Sequence, residues 1–490
     1  MTFVLSALSL SLPASTFGGD GAYSPEGLDQ PFFPGETQLQ NGARSMSLAP
    51  PGSVQVNVDG SGLNIVGDAA NEPSIAIDPT NPSRMAIGWR QFDTIASNFR
   101  QAGYGYTTNA GASWTFPGSL TPGVYGSDPV LGADNAGRFF YCTFQDTICV
   151  KVFQSANAGM TWPIGVLAFG GDKAWMVVDR TGGVGDGYIY MTWQIAASCP
   201  NAPSGCSFTR STDHGATWMT PVAITNSPRF GVTAVGPHGA VYVAGITATS
   251  NTFVVAKSTN ARFAAVTPTF DFSVTGDFLG GIPVLGGVRN AVGLLGHVWI
   301  AASPLNSSHV YLLCSVHAPG VDTTDVKFAR SEDGGQTWNA PVRVNDDSMV
   351  NGAWQWFGTM SVAPNGRIDV IWNDTRDDPE NKLSRLYYAF SMDEGATWSA
   401  NRALTPQWDS RIGFPQQNKI GDYYHMISYN DAAHLAYAAT FNGEQDVYYM
   451  RITPLPPCST CSADLNGNSS TDGEDIPAFM SCLESFPSIA

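Results

Sequence analysis

Four carboxylates in this chain stand among residues suited to handling sugars: Asp93, Asp172, Asp374 and Asp422. Tyr423 follows Asp422 directly. Hydrolysis of a glycosidic bond takes two carboxyl groups, or a tyrosine nucleophile assisted by a carboxylate. Either set can be drawn from these five residues, with the aspartates as candidate acids or bases and Tyr423 as candidate nucleophile. Trp175 and Trp356 offer flat rings for stacking on a sugar face. Arg90, Arg229, Arg289 and Arg376 offer bidentate contacts to an acidic ligand. Two of the acids also have a basic near neighbour, in Asp172-Lys173 and Asp374-Thr375-Arg376, and such a pair can simply pin a loop.

A second pattern lies near the C-terminus, from Asp464 to Asp475. Asp464, Asn466, Asn468, Ser470 and Asp475 place oxygen side chains at the alternating positions, and at the last position, of a calcium loop. Ser469 replaces the usual glycine, and Asp475 stands where an EF-hand has glutamate. A short helix is expected over 476–483. No Gly-rich phosphate loop, zinc-spaced His/Cys set or Gly-x-Ser-x-Gly elbow occurs.

The elements that must position these groups announce themselves through a repeat. The phrase Ser/Thr-x-Asp/Asn-x-Gly-x-Thr/Ser-Trp runs from Thr107 to Trp114, Ser155 to Trp162, Ser211 to Trp218, Ser331 to Trp338 and Ser391 to Trp398. A decayed copy starts at Ser258-Thr259-Asn260. Each part suits a tight turn between antiparallel strands. Asp or Asn folds back onto backbone N–H groups, Gly accepts positive φ, and Trp buries a large ring between neighbouring units. Successive Trp residues are 48, 56, 120 and 60 apart, so the interval of 120 holds two units. Seven strand-rich units can be counted between about residues 70 and 453. Unit seven shows three strands and stops, and Ser53 to Val58 alternates like a lone strand that could be its fourth.

This phrase is the Asp box, and the chain resembles the Asp-box (BNR-repeat) β-propellers, sialidase-like proteins among them. The resemblance implies an all-β propeller of four-stranded blades. Seven blades are favoured, with six as the alternative if unit four or five is an insertion. In that family the Asp boxes lie on the face away from the active site. The loops entering each inner strand therefore line the ligand funnel, which places Glu72, Asp128, Asp172-Lys173 and Asp422-Tyr423 there. Arg-Ile-Pro, whose arginine begins a carboxylate-gripping triad in true sialidases, does not occur. The resemblance implies action on a glycan, with a non-catalytic propeller binding a polysaccharide or protein as the alternative. The C-terminal loop resembles half of a dockerin or an EF-hand, which implies bound Ca2+ and a protein partner at the tail.

Length and composition set the bounds. The expected domains are a signal peptide over 1–20, a leader or linker over 21–52, the propeller over 53–453, a Pro-rich linker over 454–460 and the tail over 461–490. Charged residues make up 13% of the 490, and Gly numbers 52 and Pro 32, which suits many short strands and turns. The net charge of −17 argues against nucleic acid and anionic membranes as partners. No later apolar run is long enough to span a bilayer. A monomer, secreted or held at the cell surface or in the periplasm, is expected. The eight Cys fit export. Cys142 with Cys149, and Cys199 with Cys206, bracket short loops and suggest two local disulfides. Cys314 is expected to be a buried thiol, or else to pair with one of Cys458, Cys461 and Cys482.

Overall fold

The computed structural model describes residues 44–454, apart from 196–197, 248–251, 284–288 and 318–322. The signal segment and the C-terminal loop with Asp464, Asn466, Asn468, Ser470 and Asp475 lie outside the described residues.

Seven antiparallel sheets follow one another along the chain. Their first strands are Ala69–Ile77, Val130–Ala133, Trp175–Val178, Thr233–Val235, Trp299–Ala302, Gln355–Val362 and His425–Ser428. Each packs against the first strand of the next sheet, and His425–Ser428 packs against Ala69–Ile77, so the inner strands close a ring. The result is a seven-bladed β-propeller, and the favoured blade count stands. In blade 3 the outer strand is reduced to a single bridge between Phe208 and Val222.

Aromatic and β-branched residues fit a pleated surface buried on both sides. The second strand of blade 2, Phe139–Gln145, is buried at every position. Blade 7 takes its outer strand from the other end of the chain. Ser53–Gln55 pairs with Asp446–Ile452, with Val54 opposite Tyr449. This covers an edge that would otherwise be open and fastens the two ends of the ring together.

The repeated phrase forms the turn between third and fourth strands. In five copies the Ser or Thr hydroxyl donates to the Asp or Asn side chain at 2.7–2.8 Å. It accepts the N–H of the Gly two residues beyond that acid or amide. The acid or amide in turn accepts the N–H of the second residue after that Gly. The expected positive φ at Gly is present, and the residue before it is left-handed as well: Ala110, Ala158, His214, Gly334 and Glu394. The decayed copy keeps the Ser258–Asn260 bond and borrows Thr269 N–H for Asn260. Trp114 packs on Tyr449, Trp162 on Tyr104 and Trp398 on Phe328, each ring reaching the preceding blade.

Both expected local disulfides, Cys142–Cys149 and Cys199–Cys206, are corrected. The disulfide joins Cys149 to Cys199, while Cys142, Cys206 and Cys314 are free thiols. Cys142 faces Val152 across the hairpin, three positions along the strand from Cys149. At about 3.3 Å per residue that separation is too great for a bridge. Cys199, by contrast, is drawn towards Cys149 by its own N–H bond to Gly170 O, in the segment that pairs with Val150.

Candidate functional site: a closed ionic cluster on the propeller axis

First and third strands of a blade run the same way, so the repeated turns and the starts of the inner strands lie on opposite faces. At the inner-strand starts the chain passes through left-handed residues: Glu72, Asp128, Lys173, Phe230, Gly296, Phe357 and Gly421. The first three carry ionisable side chains and are buried. A non-Gly residue at positive φ is strained by roughly 1–3 kcal/mol and is held there by its surroundings.

Those surroundings are a set of ion pairs. Lys173 Nζ lies 2.6 Å from Asp422 Oδ2, 3.4 Å from Asp128, 3.7 Å from Asp172 and 4.0 Å from Glu72. Lys419 Nζ lies 2.7 Å from Asp422 and 3.5 Å from Glu72. Arg90 Nε is 3.4 Å from Glu72, and it donates to Asn71. Gln194 donates to Asp172. Every one of these charged side chains is at most 3% exposed.

Burial drives the Glu72 carboxyl up to about 8, against the pull of Arg90, Lys173 and Lys419. Burial also opposes ionisation of Asp422, but Lys173, Lys419 and Arg90 outweigh it and hold that carboxyl well below its ordinary range. Asp128, Asp172, Asp422 and Glu72 thus share Lys173, Lys419 and Arg90 among them. Environments that drive two neighbouring carboxyls apart in this way are also how acid and base roles are divided in active sites.

Below the ions lies an aromatic layer. Trp175, His297, Trp299, Tyr423 and His425 contact one another with ring centroids 5.0–6.1 Å apart. Burial, then Lys173, lowers His297 to about 3, so its ring is neutral. The Tyr423 hydroxyl donates to Pro129 O, 2.8 Å away in blade 2, and burial pushes its ionisation well up. Beyond this layer a channel of about 270 Å³ runs along the inner strands towards the face of the repeated turns.

Above the ions lies a cap. Leu294 N–H donates to Asp422 Oδ1, Ile420 N–H to Asn290 Oδ1, and the Asn290 amide to Gly421 O. Residues 289–295 belong to the connection between blades 4 and 5, and 418–422 lead into blade 7. These are not ring neighbours, so the contact crosses the axis. Among the described residues the ions are therefore covered on this face, where an open funnel was expected.

The structure brings together Arg90, Asp172, Trp175, Asp422 and Tyr423 of the sequence candidates. It sets the others apart. Asp374 accepts from Arg376 (2.9 Å) and the Trp372 indole (2.7 Å) in blade 6, and Arg376 covers the Tyr387 ring. Asp93 is exposed and accepts from Gln101. Arg229 stacks on Phe230, and Arg289 donates to Lys382 O. Trp356 is fully buried against Phe357 and Trp408, with its N–H on Ser384, so it presents no face to a sugar. Sequence reasoning missed Lys419 and His297. Lys419 sits in a long loop without a motif, and His297 reads as the start of an ordinary strand.

No family model and no curated protein matches the chain. Solved structures resemble it at low identity. A protein of unknown function from Dyadobacter fermentans DSM 18053 is 13% identical over 83% of this chain and 99% of that chain, with a TM-score of 0.45. The phage phi92 endosialidase is 8% identical over 84% and 70%, with a TM-score of 0.45. The GH93 alpha-L-arabinofuranosidase of Fusarium graminearum is 14% identical over 57% and 92%, with a TM-score of 0.35. Likeness at these scores carries no argument about what this chain does.

Proposed function

We propose that this chain is a sialidase-like propeller that recognises a glycan without hydrolysing it. The observation that carries the reading is Lys173. Its ammonium stands within 4.0 Å of four carboxyls at the axis, where a hydrolase would need free acids, and closes them into ion pairs. Kinship with Asp-box proteins rests on the repeated phrase. Of the four candidate arginines, Arg90 reaches Glu72 in the cluster, while Arg229 stacks on Phe230, Arg289 donates to Lys382 O and Arg376 pairs with Asp374. Glycan contact falls to the polar loops around the cap, where Arg376, Asp346 and Asn401 form a network at the rim of blade 6.

The disulfide supports a place outside the cytosol, secreted or at the cell surface or in the periplasm. The tail is proposed to bind Ca2+ through Asp464, Asn466, Asn468, Ser470 and Asp475 and to offer a docking point for a protein. Among the described residues no helix is long and apolar enough to cross a membrane.

Hydrolysis is the second reading, and one feature favours it: burial raises the Glu72 carboxyl, while Lys173, Lys419 and Arg90 hold Asp422 well below the ordinary range. A fluorogenic sialoside and a panel of neutral and uronic glycosides, with a glycan array alongside, separate the two. Array binding without turnover is expected. Turnover that is lost in Asp422→Asn would replace the binding reading with the catalytic one.

A further inference from the structure

At the seam where the ring closes, three carboxyls are buried together: Asp68, before the first inner strand, and Glu444 and Asp446, at the start of the last blade's third strand. One oxygen from each lies within 4.8 Å of the others. Their hydrogen-bond partners are neutral. Gln91 donates to Asp68, Gln55 and Asn57 to Asp446 Oδ1, and Asn442 to Asp446 Oδ2. Asn64 and the Gly67 N–H donate to Glu444. Asp68 Oδ1 is buried and receives no hydrogen bond.

The contrast with the axis decides the meaning. There, Lys173, Lys419 and Arg90 answer the buried carboxyls. Here, among the described residues, no Lys or Arg pairs with any of the three. A buried charge without a partner costs several kcal/mol, and proteins meet that cost by pairing or by metal coordination. Two atoms that both ligate a Ca2+ at about 2.4 Å can be no more than about 4.8 Å apart, and a site rich in carboxylate and amide oxygens suits a hard cation.

We propose that Asp68, Glu444 and Asp446 form a Ca2+ site that clamps the ring shut. Asn57 and Gln55, which hold Asp446, come from the N-terminal segment that completes blade 7. Asp68 leads into blade 1, and the acids of the 440–446 loop come from the far end of the fold. An ion held here would tie the two ends together where the strand pairing already joins them, without touching the axis.

The test uses the full chain, with Asp464→Asn and Asp475→Asn introduced to silence the tail loop. Thermal unfolding is followed with EDTA and with Ca2+ at about a hundredfold its Kd. A Ca2+-dependent rise in Tm of about 3 °C or more is expected. In Asp68→Asn on the same background the rise should disappear, while the Tm in EDTA stays equal or increases because repulsion is removed. Calorimetric titration should give one site per chain, absent in Asp68→Asn and weakened at least tenfold in Glu444→Gln. If the tail-silenced chain shows neither heat nor stabilisation, or if Asp68→Asn binds Ca2+ unchanged, the three acids are held by amides alone and the proposal falls.

Discussion

Lys173 Nζ and Asp422 Oδ2 lie 2.6 Å apart at the centre of the ring, fully buried, though 249 residues separate them in the chain. Lys173 leads into blade 3 and Asp422 into blade 7, so this pair spans the axis. Removing one member of a buried pair strands the other's charge, at a cost of about 3–5 kcal/mol. Lys173→Met should therefore lower unfolding free energy by that amount in urea titration. A loss below about 1 kcal/mol would mean that the cluster does not hold the blades together.

Glu72 gives the pH dependence. Its carboxyl titrates near 8 in the folded chain against 4.5 ordinarily, so between these values the folded chain keeps a proton that the unfolded chain releases. The stability this group contributes is complete below about 4.5 and is lost as pH rises through about 8. Glu72→Gln cannot titrate. Its Tm should decline less than the parent's across that window, with the largest advantage at pH 8 and above. Superimposable profiles would show that burial does not raise the Glu72 carboxyl in the folded chain.

The thiols sort by burial. Burial pushes Cys142 and Cys314 up to about 12, so little nucleophilic thiolate forms at neutral pH. Alkylation of the native chain with iodoacetamide, followed by peptide mapping, should label Cys206 and leave Cys142 and Cys314 untouched. Cys149 and Cys199 should appear as one linked peptide. Converting both to Ser should cost about 2–4 kcal/mol, since the bridge closes a loop of 50 residues. A Cys142–Cys149 peptide would overturn the assignment.

The repeated turns are not equally tolerant. Gly395 has φ +83°, and an added Cβ would fall 2.0 Å from the Phe328 ring. Gly335 has φ +96°, but its nearest neighbour would be at 3.4 Å, an ordinary contact. Gly335→Ala should cost about 1 kcal/mol for the left-handed backbone alone. Gly395→Ala adds a steric clash and should cost at least about 1 kcal/mol more. Equal losses by denaturant titration would mean that Phe328 moves aside freely.

The sequence by itself determined the ring. The turn that repeats is built from hydrogen bonds between residues two and four apart, as in Ser331 to Asp333 and Gly335, so its chemistry is complete within eight residues. Spacing then counted the blades, and alternation in Ser53 to Val58 indicated the strand that closes them. Placing the starts of inner strands on one face also gathered Glu72, Asp128, Asp172, Lys173, Asp422 and Tyr423 at one end of the axis. Only the tertiary structure decided what those groups do there. The cap comes from 289–295, a segment without a motif, and Lys419 comes from a loop that no periodicity marks. Whether an aspartate is a free acid or half of an ion pair depends on partners hundreds of residues away and on the water they exclude. The same holds for Cys149, which passes over its near neighbour in sequence, and for Asp68, Glu444 and Asp446, which meet only because the ends of the chain share a blade. Local hydrogen bonding is written in adjacent residues; burial and long-range charge are settled only when the ring closes.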